Sequence, residues 1–137
     1  MNTYSYAVYY INEFDLIPKD QVETFFIALI LEIVPNIVIS KIRHWDNIKT
    51  DEGSYVLHDD KETPDEIGIA HTFLLYYDTL EPNDLRALEV SGDIVRPKRG
   101  KIVHLQNYQP NTLHRVVYDP NSTTKQREVM KITGFDS

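Results

Sequence analysis

Hydrophobic and polar positions alternate in short runs along most of this chain, and one stretch alone carries a helical period. Residues 3–11, TYSYAVYYI, are rich in Tyr and Val and predict a strand. Pro18 stands where a first helical turn would begin. Val22, Phe25, Phe26, Leu29 and Ile33 then recur at helical spacing until Pro35-Asn36 stops the segment. The pattern predicts a helix over 18–33 whose broad apolar face packs on a sheet. From 37 to 43 the pattern turns to β, with Ile37, Ile39 and Lys41 alternating against Val38 and Ile42. A polar loop over 47–53 leads to a strand at 54–58, and a charged loop around Pro64 leads to HTFLLYY at 71–77, the clearest strand of all. Residues 79–92 read as a mixed connection containing a strand at 85–90. Pro97 and Gly100 then introduce KIVHL at 101–105. Turns at Gln109-Pro110-Asn111 and Asp119-Pro120-Asn121-Ser122 separate it from runs at 113–118 and 127–133. One helix and eight β runs, with turns every 8–12 residues or so, indicate a β-sandwich or barrel.

Composition narrows the function classes. A chain of 137 residues is expected to form one domain, 1–137, large enough to bury a core without staples. The net charge of −7 opposes a general phosphate-backbone binder, so no nucleic-acid partner is expected. With no cysteine there is no disulfide, no thiolate nucleophile and no Cys zinc site. Met1-Asn2-Thr3-Tyr4 lacks the basic start and apolar core of a signal peptide, and the longest apolar run, 25–31, is too short to cross a bilayer. A cytoplasmic protein without a membrane partner is the expectation. Asn121-Ser122-Thr123 fits the glycosylation pattern but reads as turn chemistry. The nine tyrosines read as strand formers and core cover.

The histidines carry the candidate chemistry. Of the five, two open a His-x-Asp triplet: His44-Trp45-Asp46 and His58-Asp59-Asp60. With twelve aspartates in the chain a chance triplet is unsurprising, so context decides. His58 ends a predicted strand, where residues i and i+2 share a face, so His58 and Asp60 offer an imidazole and a carboxylate to one point. His44-Trp45-Asp46 reads instead as a loop with a half-buried Trp. A third ligand from a distant strand would complete a two-His, one-carboxylate set, the arrangement suited to non-haem iron(II) oxygen chemistry. His114, at the head of its own strand, is placed to supply it.

Five ordered elements then resemble the 2-oxoglutarate- and iron(II)-dependent dioxygenases, in their prolyl-hydroxylase-like branch. They are His58-x-Asp60, the run Thr72-Phe73-Leu74-Leu75-Tyr76-Tyr77-Asp78, the turn Pro97-x-x-Gly100-Lys101-Ile102-Val103, Leu113-His114-Arg115-Val116, and Arg127 with the β run to Phe135. The resemblance spans about 54–135, over half the chain. It implies a mainly β fold, a double-stranded β-helix or jelly roll, with the N-terminal helix packed outside. It also implies an Fe(II)- and 2-oxoglutarate-dependent oxygenase, a hydroxylase of a protein side chain or a small molecule. His58, Asp60 and His114 would be the metal ligands. Arg127 would hold the far carboxylate of the cosubstrate, because a guanidinium grips a carboxylate by two parallel charge-assisted bonds. Tyr76 would add a hydroxyl to the same acid, and Thr133, on the face of Arg127, would line the pocket.

Several alternatives stay open at this level. Lys125 or Lys131, of the same strand parity, could take the acid if the register slips. His71 or His104 could replace His114, although both read better as structural. Arg115 should point away from its neighbour His114. The sequence has no His-Glu-x-x-His, no Gly-x-Ser-x-Gly, no Gly-rich phosphate loop and no dinucleotide fingerprint. A cupin site is disfavoured by the absence of His-x-His. The rival of a different class is a non-catalytic β-rich binding protein on the same scaffold.

Overall fold

A computed structural model describes residues 6–48, 71–107, 113–117 and 127–136, with only the backbone given for 45–48. The expected strand at 54–58 lies outside the described residues. Eight strands and one α-helix are found among the described ones: β1 (Tyr6–Tyr10), α1 (Val22–Ile33), β2 (Ile37–Ile48), β3 (His71–Tyr76), β4 (Leu88–Val90), β5 (Asp93–Val95), β6 (Lys101–Gln106), β7 (His114–Val116) and β8 (Arg127–Asp136). All pairings are antiparallel. One sheet runs β1-β6-β3-β8-β2 and the other β5-β4-β7.

Pro18 does open the helical segment, but as the cap of a 3-10 turn, Lys19–Gln21, that feeds into α1 at Val22. The buried stripe of α1 is narrower than its sequence suggests. Val22, Phe26 and Ile30, each four residues apart, face the large sheet, while Phe25 stays 48% exposed. That stripe meets Phe73, Leu75, Ile102, Met130 and Ile132 in one apolar cluster. The opposite face of the same strands supplies Tyr76, Val103, Leu105 and Val129, which meet Leu88, Val90 and Val95 of the small sheet in a second cluster. Strand alternation therefore separates a helix side from an inner side, the latter enclosed between the two sheets. The chain passes from the large sheet to the small one between β3 and β4, returns between β5 and β6, and crosses again on either side of β7.

Two elements depart from expectation. β2 continues through His44-Trp45-Asp46, which is strand rather than loop, and register shifts at Ile39/Lys41 and Trp45/Ile48 break its alternation. At the first shift Ser40 is the extra residue. Ile37 and Ile39 join the helix-side cluster, whereas beyond it Lys41 opposes Thr133 and Ile42 opposes Ile132, so the faces exchange. The expected strand at 85–90 is shorter, and an unexpected partner, β5, follows it. Ser91 and Gly92 both have positive φ (53° and 80°), the signature of a two-residue hairpin turn whose twist matches its strands.

Candidate functional site

On the inner side the large sheet presents alternate residues of β3 and β8. Thr72, Leu74 and Tyr76 point inward from β3, because Phe73 and Leu75 belong to the helix-side cluster. Arg127, Lys131 and Thr133 share the parity of the inward Val129, with Met130 and Ile132 on the other face. The end of β3 is fastened to the start of β8: Tyr77 N–H donates to Glu128 O at 3.2 Å, and Glu128 N–H to Asp78 Oδ2 at 2.9 Å. This fastening brings Tyr76 and Arg127 together. The guanidinium carbon lies 5.8 Å from the centre of the Tyr76 ring, and Arg127 Nη1 donates to the main-chain oxygen of Arg86 at 3.2 Å. Burial raises the pKa of the Tyr76 phenol, with Arg127 pulling the other way, so at neutral pH the hydroxyl keeps its proton and can donate a hydrogen bond.

From the small sheet, His114 pairs with Val90 across an antiparallel ladder, so the two side chains share a face. Val90 is fully buried in the inner cluster, and His114 is buried with it. Arg115 takes the opposite face and forms an ion pair with Glu89. His114, Tyr76 and Arg127 thus all lie on the inner side, drawn from both sheets. His58, Asp60 and Lys125 lie outside the described residues. Among the described residues no three His, Asp or Glu side chains converge on one point.

Thr133 shares the face of Arg127 as expected, but six strand positions separate them, about 20 Å. A single five-carbon diacid cannot touch both. Thr133 belongs instead to a neutral polar patch at the other end of β8. There its Oγ1 is 3.4 Å from Ser40 Oγ, and it pairs in register with Thr72, whose Oγ1 accepts from Asn107 Nδ2 at 2.8 Å. Asn107 Oδ1 is buried and has no hydrogen-bond partner among the described residues. Lys131 sits between the two ends.

His71 and His104 do not share the face of His114. His71 Nδ1 lies 2.9 Å from His104 Nε2 and its Nε2 lies 2.8 Å from Asp136 Oδ1, while the His104 ring stacks on Phe73 at 4.2 Å on the helix side. The large sheet stands between this chain of rings and the inner side, so neither histidine can take the place of His114. His44 also lies on the helix side, stacked on Tyr77 and 2.6 Å from Glu128 Oε2, away from the inner face.

Sequence reasoning missed a buried ion pair beside Arg127. Asp84 and Arg86 are each only 2% exposed. Arg86 Nη2 donates to Asp84 Oδ2 at 3.0 Å, Nε approaches both carboxylate oxygens, and Asp84 Oδ1 accepts the Arg86 main-chain N–H at 3.0 Å. The sequence offers no more than the spacing Asp-x-Arg just before Ala87-Leu88, and charged residues in a connection ordinarily face water.

No protein-family profile matches the chain, and no curated protein matches it. Solved structures do. A truncated form of the viral collagen prolyl hydroxylase of Paramecium bursaria Chlorella virus-1 superposes with a TM-score of 0.53 at 13% identity, over 96% of this chain and 74% of that one. The fold is similar to that of a prolyl hydroxylase. The same viral enzyme in its 2OG complex gives a TM-score of 0.52, again at 13% identity, covering 96% and 78% of the two chains.

Proposed function

We propose that this protein is an Fe(II)- and 2-oxoglutarate-dependent oxygenase, a hydroxylase built on one jelly-roll domain. The observation that carries this reading is the meeting of Arg127 with the buried, protonated Tyr76 on the inner side, facing a small sheet that contributes the buried imidazole of His114. The likeness in fold to a collagen prolyl hydroxylase supports it. So does the passage of the chain back and forth between two antiparallel sheets, the path of a rolled double sheet.

The described residues suit the absent cosubstrate, and of the three proposed metal ligands His114 alone is among them. A guanidinium beside a phenol that can donate suits a terminal carboxylate, and a buried imidazole on the facing sheet suits a metal. His58, Asp60 and His114 would hold the iron, and Arg127 and Tyr76 the far carboxylate of 2-oxoglutarate. When bound, the metal and its cosubstrate supply an oxidant for C–H hydroxylation, coupled to conversion of 2-oxoglutarate and oxygen to succinate and carbon dioxide. The chain itself would orient the acid, and Leu88, Val90, Val103 and Val129, which pack in one apolar cluster with Tyr76, would keep water from it. Peptidyl proline is the first substrate to try, since the solved structures of similar fold are collagen prolyl hydroxylases. No helix among the described residues is long and apolar enough to cross a membrane.

The test is succinate formation from 2-oxoglutarate with iron(II), ascorbate and air. The wild-type protein should form succinate, and Arg127→Ala should need about tenfold or more 2-oxoglutarate for the same rate, the loss expected for a charge-assisted bond. An unchanged requirement removes Arg127 from its role. Binding of 2-oxoglutarate without succinate would favour a non-catalytic binding protein.

A further inference from the structure

Arg127 is held in part from outside its own strand. Its Nη1 donates to the carbonyl oxygen of Arg86, a residue outside regular strand in the connection from β3 to β4. Such a connection is ordinarily the variable part of a sheet, yet this one is fixed at its centre. Asp84 Oδ1 accepts the Arg86 N–H, the Arg86 side chain folds back onto the same carboxylate, and both side chains are buried. Ala87 continues the anchoring. Its N–H donates to Leu85 O at 2.7 Å and its carbonyl accepts Val117 N–H at 2.9 Å, tying the connection to the strand that begins with His114.

The geometry points to Asp84 as a positioning residue: by clamping Arg86, it sets the carbonyl that aims the Arg127 guanidinium at the cosubstrate carboxylate. This rests on the proposed function for the ligand, but the clamp itself is a property of the unliganded chain.

Three measurements on Asp84→Ala and Asp84→Asn test the assignment. The first, without metal or cosubstrate, is the Arg127 Nε–H resonance, assigned by loss in Arg127→Lys. It should shift in Asp84→Ala, and an unmoved resonance overturns the clamp. The second is equilibrium binding of 2-oxoglutarate to the iron-loaded protein under nitrogen. Affinity should fall about tenfold in Asp84→Ala. It should fall less in Asp84→Asn, whose Oδ1 still accepts the Arg86 N–H, while iron(II) affinity stays at the wild-type value. The third is thermal unfolding. A lower melting temperature with unchanged 2-oxoglutarate affinity means that the pair only supports the fold, and overturns the proposal. Where Asp84→Ala does not fold, the double variant Asp84→Leu/Arg86→Met removes both charges together and must show the same loss of affinity. Wild-type protein that binds iron but no 2-oxoglutarate overturns the functional reading and this ligand role together, whereas the resonance measurement judges the clamp by itself.

Discussion

His104 is buried against the Phe73 ring and is the inner member of a chain that reaches the surface through His71 and Asp136. His104 Nδ1 is buried and has no hydrogen-bond partner among the described residues, the other ring nitrogen being the one that faces His71. Burial, aided by His71 and opposed by Asp136, lowers the His104 pKa from 6.5 to about 3. A depressed value means that the folded state holds His104 neutral while the unfolded chain takes up a proton as the pH falls through 6.5. The stabilisation is therefore complete above 6.5 and lost progressively between 6.5 and about 3. Lowering the pH from 7.5 to 5 should cost about 2 kcal/mol through this residue. Urea unfolding at the two pH values checks it. His104→Phe should remove that part of the acid sensitivity, and equal pH dependence in variant and parent would refute the assignment. Why the two histidines face the helix rather than the site was legible in the alternation of HTFLLYY and KIVHL, since each lies in step with residues of the helix-side core. The pairing of Asp84 with Arg86 was not, because a carboxylate and a guanidinium two residues apart in a polar connection usually face water.

Among the elements, unbroken β-rich runs were read almost to the residue, because strands covered on both faces carry apolar residues throughout: KIVHL at 101–105 is β6, Lys101–Gln106, and HTFLLYY at 71–77 is β3, His71–Tyr76. β2 and β5 were read poorly, for different reasons. The Ser40 bulge exchanges the two faces of β2 midway, which destroys the period on which any reading depends. β5 has three residues, too few to show a period, and its only signal was Ser91-Gly92 between Val90 and Ile94. Glycine at 134 marks the opposite constraint. A Cβ there would stand 2.5 Å from Val38 O and 2.9 Å from Ile37 Cγ1, with backbone as the nearer obstacle, so β8 and β2 could not keep their approach. Gly134→Ala should destabilise by about 3 kcal/mol. Gly92→Ala meets nothing within 4 Å and should cost only the strain of its positive φ, about 1 kcal/mol. Chemical denaturation of both variants checks the order, and a Gly134→Ala protein as stable as wild type would contradict the packing described for β2 and β8.

Across the whole molecule, the net charge of −7 coexists with a basic run from Arg96 to Lys101 that is largely engaged in holding connections together. Arg99 pairs with Asp15 and donates to Tyr77 O, Arg96 donates to Glu81 O, and Lys101 donates to Arg96 O. These contacts fix the segment between β5 and β6, and Gly100 N–H donates to Tyr76 O at 2.9 Å, so the same segment braces the strand that carries Tyr76. The assembly as a whole serves one arrangement, a large sheet bearing Arg127 and Tyr76 opposite a small sheet bearing His114. Anaerobic titration of the protein with iron(II) and then 2-oxoglutarate tests that arrangement most directly. The wild-type protein should develop a visible metal-to-ligand charge-transfer band that saturates at one equivalent of each, and His114→Ala should lose it while its far-ultraviolet circular dichroism stays unchanged. A wild-type protein with no band, or a folded His114→Ala protein with an undiminished one, would contradict the account.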